Sequence, residues 1–390
     1  MESILVFRKY FYYPSETFIY RQVQYLKKEF KIFLLAGGFA DEHKFDFTHV
    51  HKVLLSKYER KLNEIFYKIF KKNIDPEFSF PHPFQITRLI RKRKIHLIHA
   101  HFGTEAVKLI PLAKNKRIPL VVTFHGFDAS KALSNESYKR LLPSLFDYAS
   151  RIIIVSNHMF NTLNLYEWKD KVVLLPCSID SEEFKPFEKL QRDNKIKLLH
   201  SGRIVSKKGV PDLIAVFANV YKKNKKLQLT VIGDGPQLAI CKQQVNELFL
   251  SEAVIFLGAQ KHSVVKAELN EADIFVLNSR TDESGDMEGT PVTLLEAMSM
   301  EKAVVSTYHA GIPDVVKDDF NGKLVEEKDN DALQDAIEEL IQNEEKRKTL
   351  GKEARKTVIN KYSDKRVLPI LKQTLTDVIK EVHQKSTCPL

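Results

Sequence analysis

The chain reads as α/β, with two successive domains in which buried parallel strands alternate with helices. Three observations predict this. Short, mostly apolar segments at 4–7, 32–35, 120–124, 227–232 and 273–277 suit buried strands, and longer segments of helical pattern separate them. The alternation breaks at the polar stretch 188–195 and then restarts. The strand-like runs end in polar or glycine-bearing loops, where parallel α/β sheets hold their ligands. A length of 390 residues allows two or three domains, and 43% hydrophobic content is sufficient for sizeable cores.

In the first half, 4–7 is strand one. Loop 8–14 carries Tyr10, Phe11, Tyr12 and Tyr13. Ser15 then caps a helix reaching about residue 28, with Glu16 in its first turn. A second strand, 32–35, ends at Gly37-Gly38. The stretch 51–100 holds 12 Lys+Arg against 4 Asp+Glu. Within it, 57–72 is helical in pattern, with Leu62, Ile65, Phe66, Ile69 and Phe70 on one face and lysines around them. Such a helix either lies on an anionic membrane surface or packs with a solvated rim. The strand ending in HLIHAH at 96–101 puts His99 and His101 on one face, with no further residue at a metal-ligand spacing. Strand 120–124 runs directly into His125-Gly126-Phe127-Asp128, so His125 stands at a strand end. Strand 151–155, a helix from Ser156 and strand 171–175 complete this half.

The second half restarts with strand 196–200, whose exit loop Ser201 to Gly209 contains Gly202, Arg203, Lys207 and Lys208. Lys207 is expected in solvent. A helix follows from Pro211. Strand 227–232 ends in the tight turn Gly233-Asp234-Gly235-Pro236. Strand 273–277 opens into the polar run 278–286. Beyond it, Gly289 allows close approach to a ligand, Thr290 suits an N-cap and Pro291 the first helical position. Glu288 and Glu296 frame this join, with seven residues between them. Helix N-termini bind phosphate readily, and neighbouring carboxylates accept hydrogen bonds from sugar hydroxyls. That combination fits a nucleoside diphosphate-sugar. Glu345 and Glu353 repeat the spacing in a charged helix without Gly or Pro and read as a solvated face. Strand 303–306 ends in His309-Ala310-Gly311-Ile312-Pro313, 322–325 is the last strand, and charged helices follow.

The net charge of +11 is uneven: residues 1–180 carry 29 Lys+Arg against 17 Asp+Glu, and residues 181–390 carry 32 against 33. A basic half favours anionic partners. It lacks any helix-turn-helix or RNA-binding signature, so nucleic acid is not expected. Cys177, Cys241 and Cys388 lie too far apart for a disulfide framework or metal cluster. No run reaches the length of a membrane span, and the N-terminus does not read as a signal peptide. A cytoplasmic protein is expected, docked peripherally on the inner membrane face if the basic region 57–94 binds lipid.

The run DMEGTPVTLLEAM at 286–298, followed by AVVSTYHAGIP, resembles the donor-site signature of retaining glycosyltransferase family 4, with the GT-B fold. Pro14-Ser15-Glu16-Thr17-Phe18, His99-Ala100-His101-Phe102-Gly103 and Thr123 to Asp128 are similar to a branch that builds bacterial exopolysaccharides of the colanic acid type. The resemblance implies two Rossmann-like domains facing an interdomain cleft: an acceptor domain at 1–180, a donor domain at 195–364, and a closing helix at about 365–390 that returns to the first. It implies transfer from a UDP- or GDP-sugar to a carbohydrate hydroxyl, a lipid-linked oligosaccharide being the acceptor that a basic, aromatic first domain suits. Segment 201–209 is similar to the family's diphosphate-binding loop, so Arg203 and Lys208 are expected to hold the diphosphate. His125 is expected to orient the donor sugar or stabilise the transition state, beside Glu288. Gly202, Gly233, Gly289, Thr290, Pro291 and Glu296 are expected around the donor, and Ser15, Glu16, His101 and Asp128 on the acceptor side. The glycine-rich loop that many members carry after strand one is replaced here by Y-P-S-E-T-F. No Asp-x-Asp motif stands at a strand end of the second domain, so neither metal nor another cofactor is expected. Two rivals stay open: a sugar-nucleotide epimerase on the same fold, and a non-catalytic basic protein binding membrane or nucleic acid.

Overall fold

The computed structural model describes residues 1–11, 17–36, 38–39, 50–54, 61, 83–188 and 194–387. The expectations for Ser15 and Glu16, for Cys388, and for the helix 57–72 apart from Lys61 lie outside these residues. The chain divides into two compact units, Met1–Pro176 with Leu368–Leu390, and Cys177–Val367.

The first unit is built on strands β1 (Ser3–Phe7), β3 (Lys31–Ala36), β5 (Val50–Leu54), β6 (Leu97–His101), β7 (Leu120–Phe124), β8 (Arg151–Ile154) and β9 (Val172–Leu174). They form one parallel sheet in the order β5-β3-β1-β6-β7-β8-β9. Every residue of β1, β6 and β7 is buried. A parallel sheet covered on both faces makes its strands largely apolar, which explains why β1 and β7 are legible as apolar runs, whereas β6 carries His99 and His101. Strand β5 has no counterpart in the sequence expectations. It lies at the sheet edge with His51 and Lys52 exposed, so no apolar run marks it. Two short strands, β2 (Tyr10–Phe11) and β4 (Gly38–Phe39), pair separately. Helix Glu136–Tyr148 is capped by Asn135, whose Oδ1 accepts from the amides of Ser137 and Tyr138. The last helix spans Asp364–Thr387. Its later part joins the first unit through a Glu381–Arg151 ion pair and a 2.7 Å bond from Lys372 Nζ to Glu29 Oε1.

The second unit contains β10 (Ile196–Ser201), β11 (Leu227–Ile232), β12 (Val254–Gly258), β13 (Ile274–Leu277), β14 (Ala303–Thr307) and β15 (Lys323–Val325). They are parallel in the order β12-β11-β10-β13-β14-β15. Helix Val210–Lys223 buries Leu213, Ile214, Val216, Phe217 and Val220 in the same core as Leu198, Leu229 and Val231. Burial of each such side chain contributes about 1.5–3 kcal/mol.

Strand order reverses between β1 and β6 in one sheet and between β10 and β13 in the other. Open α/β sheets bind ligands outside the C-terminal ends of strands at such points. Among the described residues no helix is long and apolar enough to cross a membrane.

Candidate active site

In the second unit the exits of β10 and β13 are stitched together. The β10 exit makes one short turn, Ser206–Lys208, and then turns at Gly209 (φ 63°) into helix Val210–Lys223. A Cβ at position 209 would lie 2.6 Å from Asn278 Nδ2 and 2.7 Å from its carbonyl oxygen, so only glycine fits. Asn278 Nδ2 donates to Gly209 O at 2.8 Å, Arg280 N donates to Lys207 O at 2.8 Å, and the Arg280 guanidinium pairs with Asp212.

Two lysines point into this junction. Lys208 Nζ lies 3.0 Å from Glu288 Oε1, uniting the predicted cation and the predicted carboxylate. Lys207 contradicts its expectation. It is 6% exposed, bonds Asp286 at 3.1 Å and Met287 O at 3.0 Å, and lies 4.0 Å from Glu288. The short turn brings both lysines inward, and Asp286 with the Met287 carbonyl captures the first. Lys207→Ala is therefore expected to destabilise the second unit by about 1–2 kcal/mol, because it strips two half-buried acceptors, Asp286 and the Met287 carbonyl, of a charged donor. Urea unfolding checks this, and an unchanged midpoint would return Lys207 to solvent. Arg203 is exposed, and its guanidinium pairs with no acid among the described residues.

Burial raises the Glu288 carboxyl, but the charges of Lys208 and Lys207 and the Lys208 hydrogen bond outweigh it and bring it down to about 2. Burial lowers Lys208 from the usual lysine value, and Glu288 opposes that shift. Buried His200 stands nearby. Burial and then the Lys208 charge lower it to about 4, and its Nδ1 is 3.0 Å from Val276 O.

Gly202 and Gly233 meet backbone to backbone. A Cβ on Gly233 (φ 141°) would fall 1.8 Å from Gly202 O, so the adjacent strand exit already demands this glycine. Gly289, Thr290 and Pro291 are buried. Pro291 departs from its predicted position. Its ψ of 112° is extended, which makes it the N-cap of helix Val292–Ser299 rather than the first helical residue, and Thr290 precedes the cap. Glu296 is 2% exposed within that helix, with Oε1 3.7 Å from His262 Nδ1. Sequence reasoning passed over His309 as a contact of Glu288. Its Nε2 accepts from the Glu288 amide at 3.0 Å.

In the first unit three histidines adjoin at the ends of β6 and β7. The His99 and His101 rings are 4.4 Å apart, and His101 Nδ1 is 3.0 Å from His125 Nε2. His99 Nε2 bonds Thr123 Oγ1 at 2.8 Å. Burial, then the Arg8 and His99 charges, hold His125 well below the usual histidine value; burial with the other histidines and Arg8 does the same to His101. Both are neutral imidazoles. His101 was expected on the acceptor side. It is 1% exposed, with a ring nitrogen 3.0 Å from His125.

Asp128 was also expected on the acceptor side. It is fully buried, and its carboxylate accepts from the amides of Gly103 (2.6 Å), His125 (2.9 Å) and Gly126 (3.2 Å). Its carbonyl accepts from Tyr138 OH at 2.9 Å. It ties the β6 and β7 exits together. Phe102, beside it, holds φ 73°, a sparsely populated conformation for a non-glycine residue.

Among the described residues one His/carboxylate group has metal-compatible proximity: Glu2, His96 and His383. Glu2 and His96 precede β1 and β6, at the edge opposite the strand exits. His96 Nδ1 accepts from Ser3 N at 3.0 Å, so Nε2 carries the ring proton toward Glu2 at 2.9 Å and offers no lone pair. Cys177 and Cys241 are buried free thiols.

Residues 15–183 match the family model described as Glycosyltransferase Family 4, and residues 181–357 match that described as Glycosyl transferases group 1. The chain is 30% identical over 261 residues to the amylovoran biosynthesis glycosyltransferase AmsK of Erwinia amylovora, covering 64% of this chain but only 62% of that relative. It is 30% identical over 269 residues to an uncharacterized glycosyltransferase of Methanocaldococcus jannaschii, covering 67% of this chain and 70% of that protein. The structure of Anabaena HepE in complex with UDP-glucose aligns with a TM-score of 0.79 at 17% identity, over 98% of this chain and 100% of the other. That likeness establishes the fold, two Rossmann-like domains of GT-B type. With both halves matched in tandem, the chain belongs to glycosyltransferase family 4, among the group 1 glycosyl transferases.

Proposed function

We propose that the chain transfers a sugar from a nucleoside diphosphate-sugar to a carbohydrate hydroxyl with retention at the anomeric carbon, without a metal ion. The observation that carries this reading is the Lys208–Glu288 pair at the switch point between β10 and β13, with Arg203 exposed beside it. In this reading Lys208 and Arg203 hold the diphosphate. As the bond from sugar C1 to the diphosphate oxygen breaks, its electron pair goes to the diphosphate and the two cations neutralise it. The acceptor oxygen bonds C1, and its proton leaves to the departing diphosphate. Glu288 keeps Lys208 charged despite burial and accepts from sugar hydroxyls. His125, a neutral imidazole, hydrogen-bonds the transferring sugar.

UDP-sugar is the favoured donor because HepE was solved with UDP-glucose. Polysaccharide assembly is the favoured setting because the Erwinia relative is named for amylovoran biosynthesis. The basic first half suits a lipid-linked acceptor at an anionic membrane surface, with the protein on its cytoplasmic face. Calorimetric titration of the chain with UDP, GDP and ADP in EDTA tests the donor part. Micromolar binding of one nucleotide is expected. Binding that requires added divalent metal would remove the metal-free reading, and no binding of any would remove the donor site. Conversion of the UDP-sugar without acceptor would transfer the weight to an epimerase.

A further inference from the structure

The exits of β14 and β15 carry a chain of hydrogen bonds that ends on Glu288. The Glu288 amide donates to His309 Nε2 at 3.0 Å, and His309 Nδ1 lies 2.6 Å from Glu327 Oε1. A ring nitrogen that accepts from an amide carries no proton. The neutral His309 ring therefore holds its proton on Nδ1 and donates it to Glu327. Glu327 is fixed in turn, accepting from Thr281 N at 2.8 Å and Thr281 Oγ1 at 3.3 Å. His309 is completely buried, in a turn where its own amide donates to Thr307 O at 2.7 Å and its carbonyl accepts from Ile312 N at 2.9 Å.

Thr281 and Glu288 belong to the same β13 exit loop. One His–Glu pair on two neighbouring exits thus grips that loop at two points. The Lys208–Glu288 contact cannot do this alone, because it joins two side chains with several rotatable bonds each. The grip on the Glu288 amide is a main-chain contact and fixes where the side chain begins.

We propose that His309 and Glu327 are positioning residues that hold the Glu288 main chain where its carboxylate meets Lys208 and the transferred sugar. This inference rests on the transfer reading above. Its experiment combines ¹⁵N-histidine NMR, UDP calorimetry and the rate of UDP release from UDP-glucose, applied to the parent chain, His309→Leu, His309→Gln and Glu327→Gln. The parent His309 is expected as the Nδ1–H tautomer. His309→Leu is expected to lower UDP release per UDP-binding site by about tenfold to a hundredfold, the usual cost of a misplaced reacting group. UDP affinity is expected to stay within about threefold, since Arg203 and Lys208 remain. His309→Gln, whose side-chain oxygen can accept from the Glu288 amide and whose amino group can donate to Glu327, is expected to recover part of the rate. Glu327→Gln is expected to fall between them.

A merely structural role would lower the number of UDP-binding sites per chain and leave the rate per site unchanged, overturning the proposal. An Nε2–H tautomer in the parent would overturn it with the donor reading intact. A parent that neither binds UDP nor releases it from UDP-glucose overturns the donor reading and this role together, and the tautomer then reports only whether the bond exists.

Discussion

Lys208→Ala is expected to lower turnover by about 10²–10³-fold, the usual result of removing one preorganised donor from developing charge. It is also expected to abolish detectable nucleotide binding in the calorimetric titration. The substitution has a second consequence, because Lys208 is buried, the Glu288 side chain is only 10% exposed, and the two lie 3.0 Å apart. Deleting one partner of a buried pair leaves an uncompensated charge and typically costs about 3–5 kcal/mol. Lys207, 4.0 Å from the same carboxylate oxygen, offsets part of this. The two effects separate in the double variant Lys208→Met/Glu288→Gln. Stability is expected to return toward the parent, since the charge is gone, while turnover stays lost. Recovery of both together would mean that Lys208 acts only through folding. The pH dependence follows the same pair. The Glu288 carboxyl is brought from 4.5 to about 2 in the folded chain, so the unfolded state binds more protons between those values. Its contribution, about 3 kcal/mol, is complete above pH ~4.5 and disappears as pH falls to ~2. In Lys208→Ala the folded carboxyl loses its nearest cation, so this contribution shrinks and its loss is complete at a higher pH.

The residues that were legible in the sequence share one property: their chemistry is carried by local order along the chain. Parallel strands buried on both faces are mostly apolar, so β1, β7, β11, β13 and β14 are visible without any partner, and β10 is visible despite Lys197 and His200. Edge strand β5 is not, because exposed His51 and Lys52 leave no run to read. The same division holds in the site. Lys208 and Glu288 were each marked by a motif, but a motif names residue types and not neighbours. That Lys207 turns inward depends on Asp286, 79 positions away in the chain. His101 was visible as a strand-end histidine, yet its burial depends on β7 arriving alongside with His125. The His309–Glu327 contact joins the exits of two adjacent strands, and no spacing rule links residues that only sheet order brings together. In physical terms, local propensity and burial pattern specify the strands, whereas side-chain partners in a loop cluster are set by register between strands.

Asp128→Asn is expected to destabilise the first unit by about 1–3 kcal/mol and to disturb His125, which lies in the same loop. The Asp128 carboxylate accepts from three backbone amides, of Gly103, His125 and Gly126. An asparagine retains one accepting oxygen for His125 and Gly126, but its amino group would face the Gly103 amide, donor against donor. The sign of the pH dependence is opposite to that of Glu288. Burial, outweighing the amide hydrogen bonds, raises the Asp128 carboxyl from 3.8 to about 6. Between those values the unfolded chain has released a proton that the folded chain keeps. This residue's contribution therefore falls as pH rises through that window, by about 3 kcal/mol. Buried His99 and His200, both lowered by burial to about 4, act in the reverse sense over nearly the same range, His101 and His125 are lowered in the same direction, and together they mask the trend in the parent alone. The difference between parent and Asp128→Asn cancels the histidines and leaves Asp128. In urea unfolding from pH 4 to 7, the deficit of the variant is expected to be largest at the acid end and to shrink toward neutrality. A deficit that grows with pH would mean that Asp128 is already ionised at pH 4 and that the amides hold it below its ordinary value. In that case His125 would be anchored by a permanent charge, and activity would show no titration from this residue between pH 4 and 6.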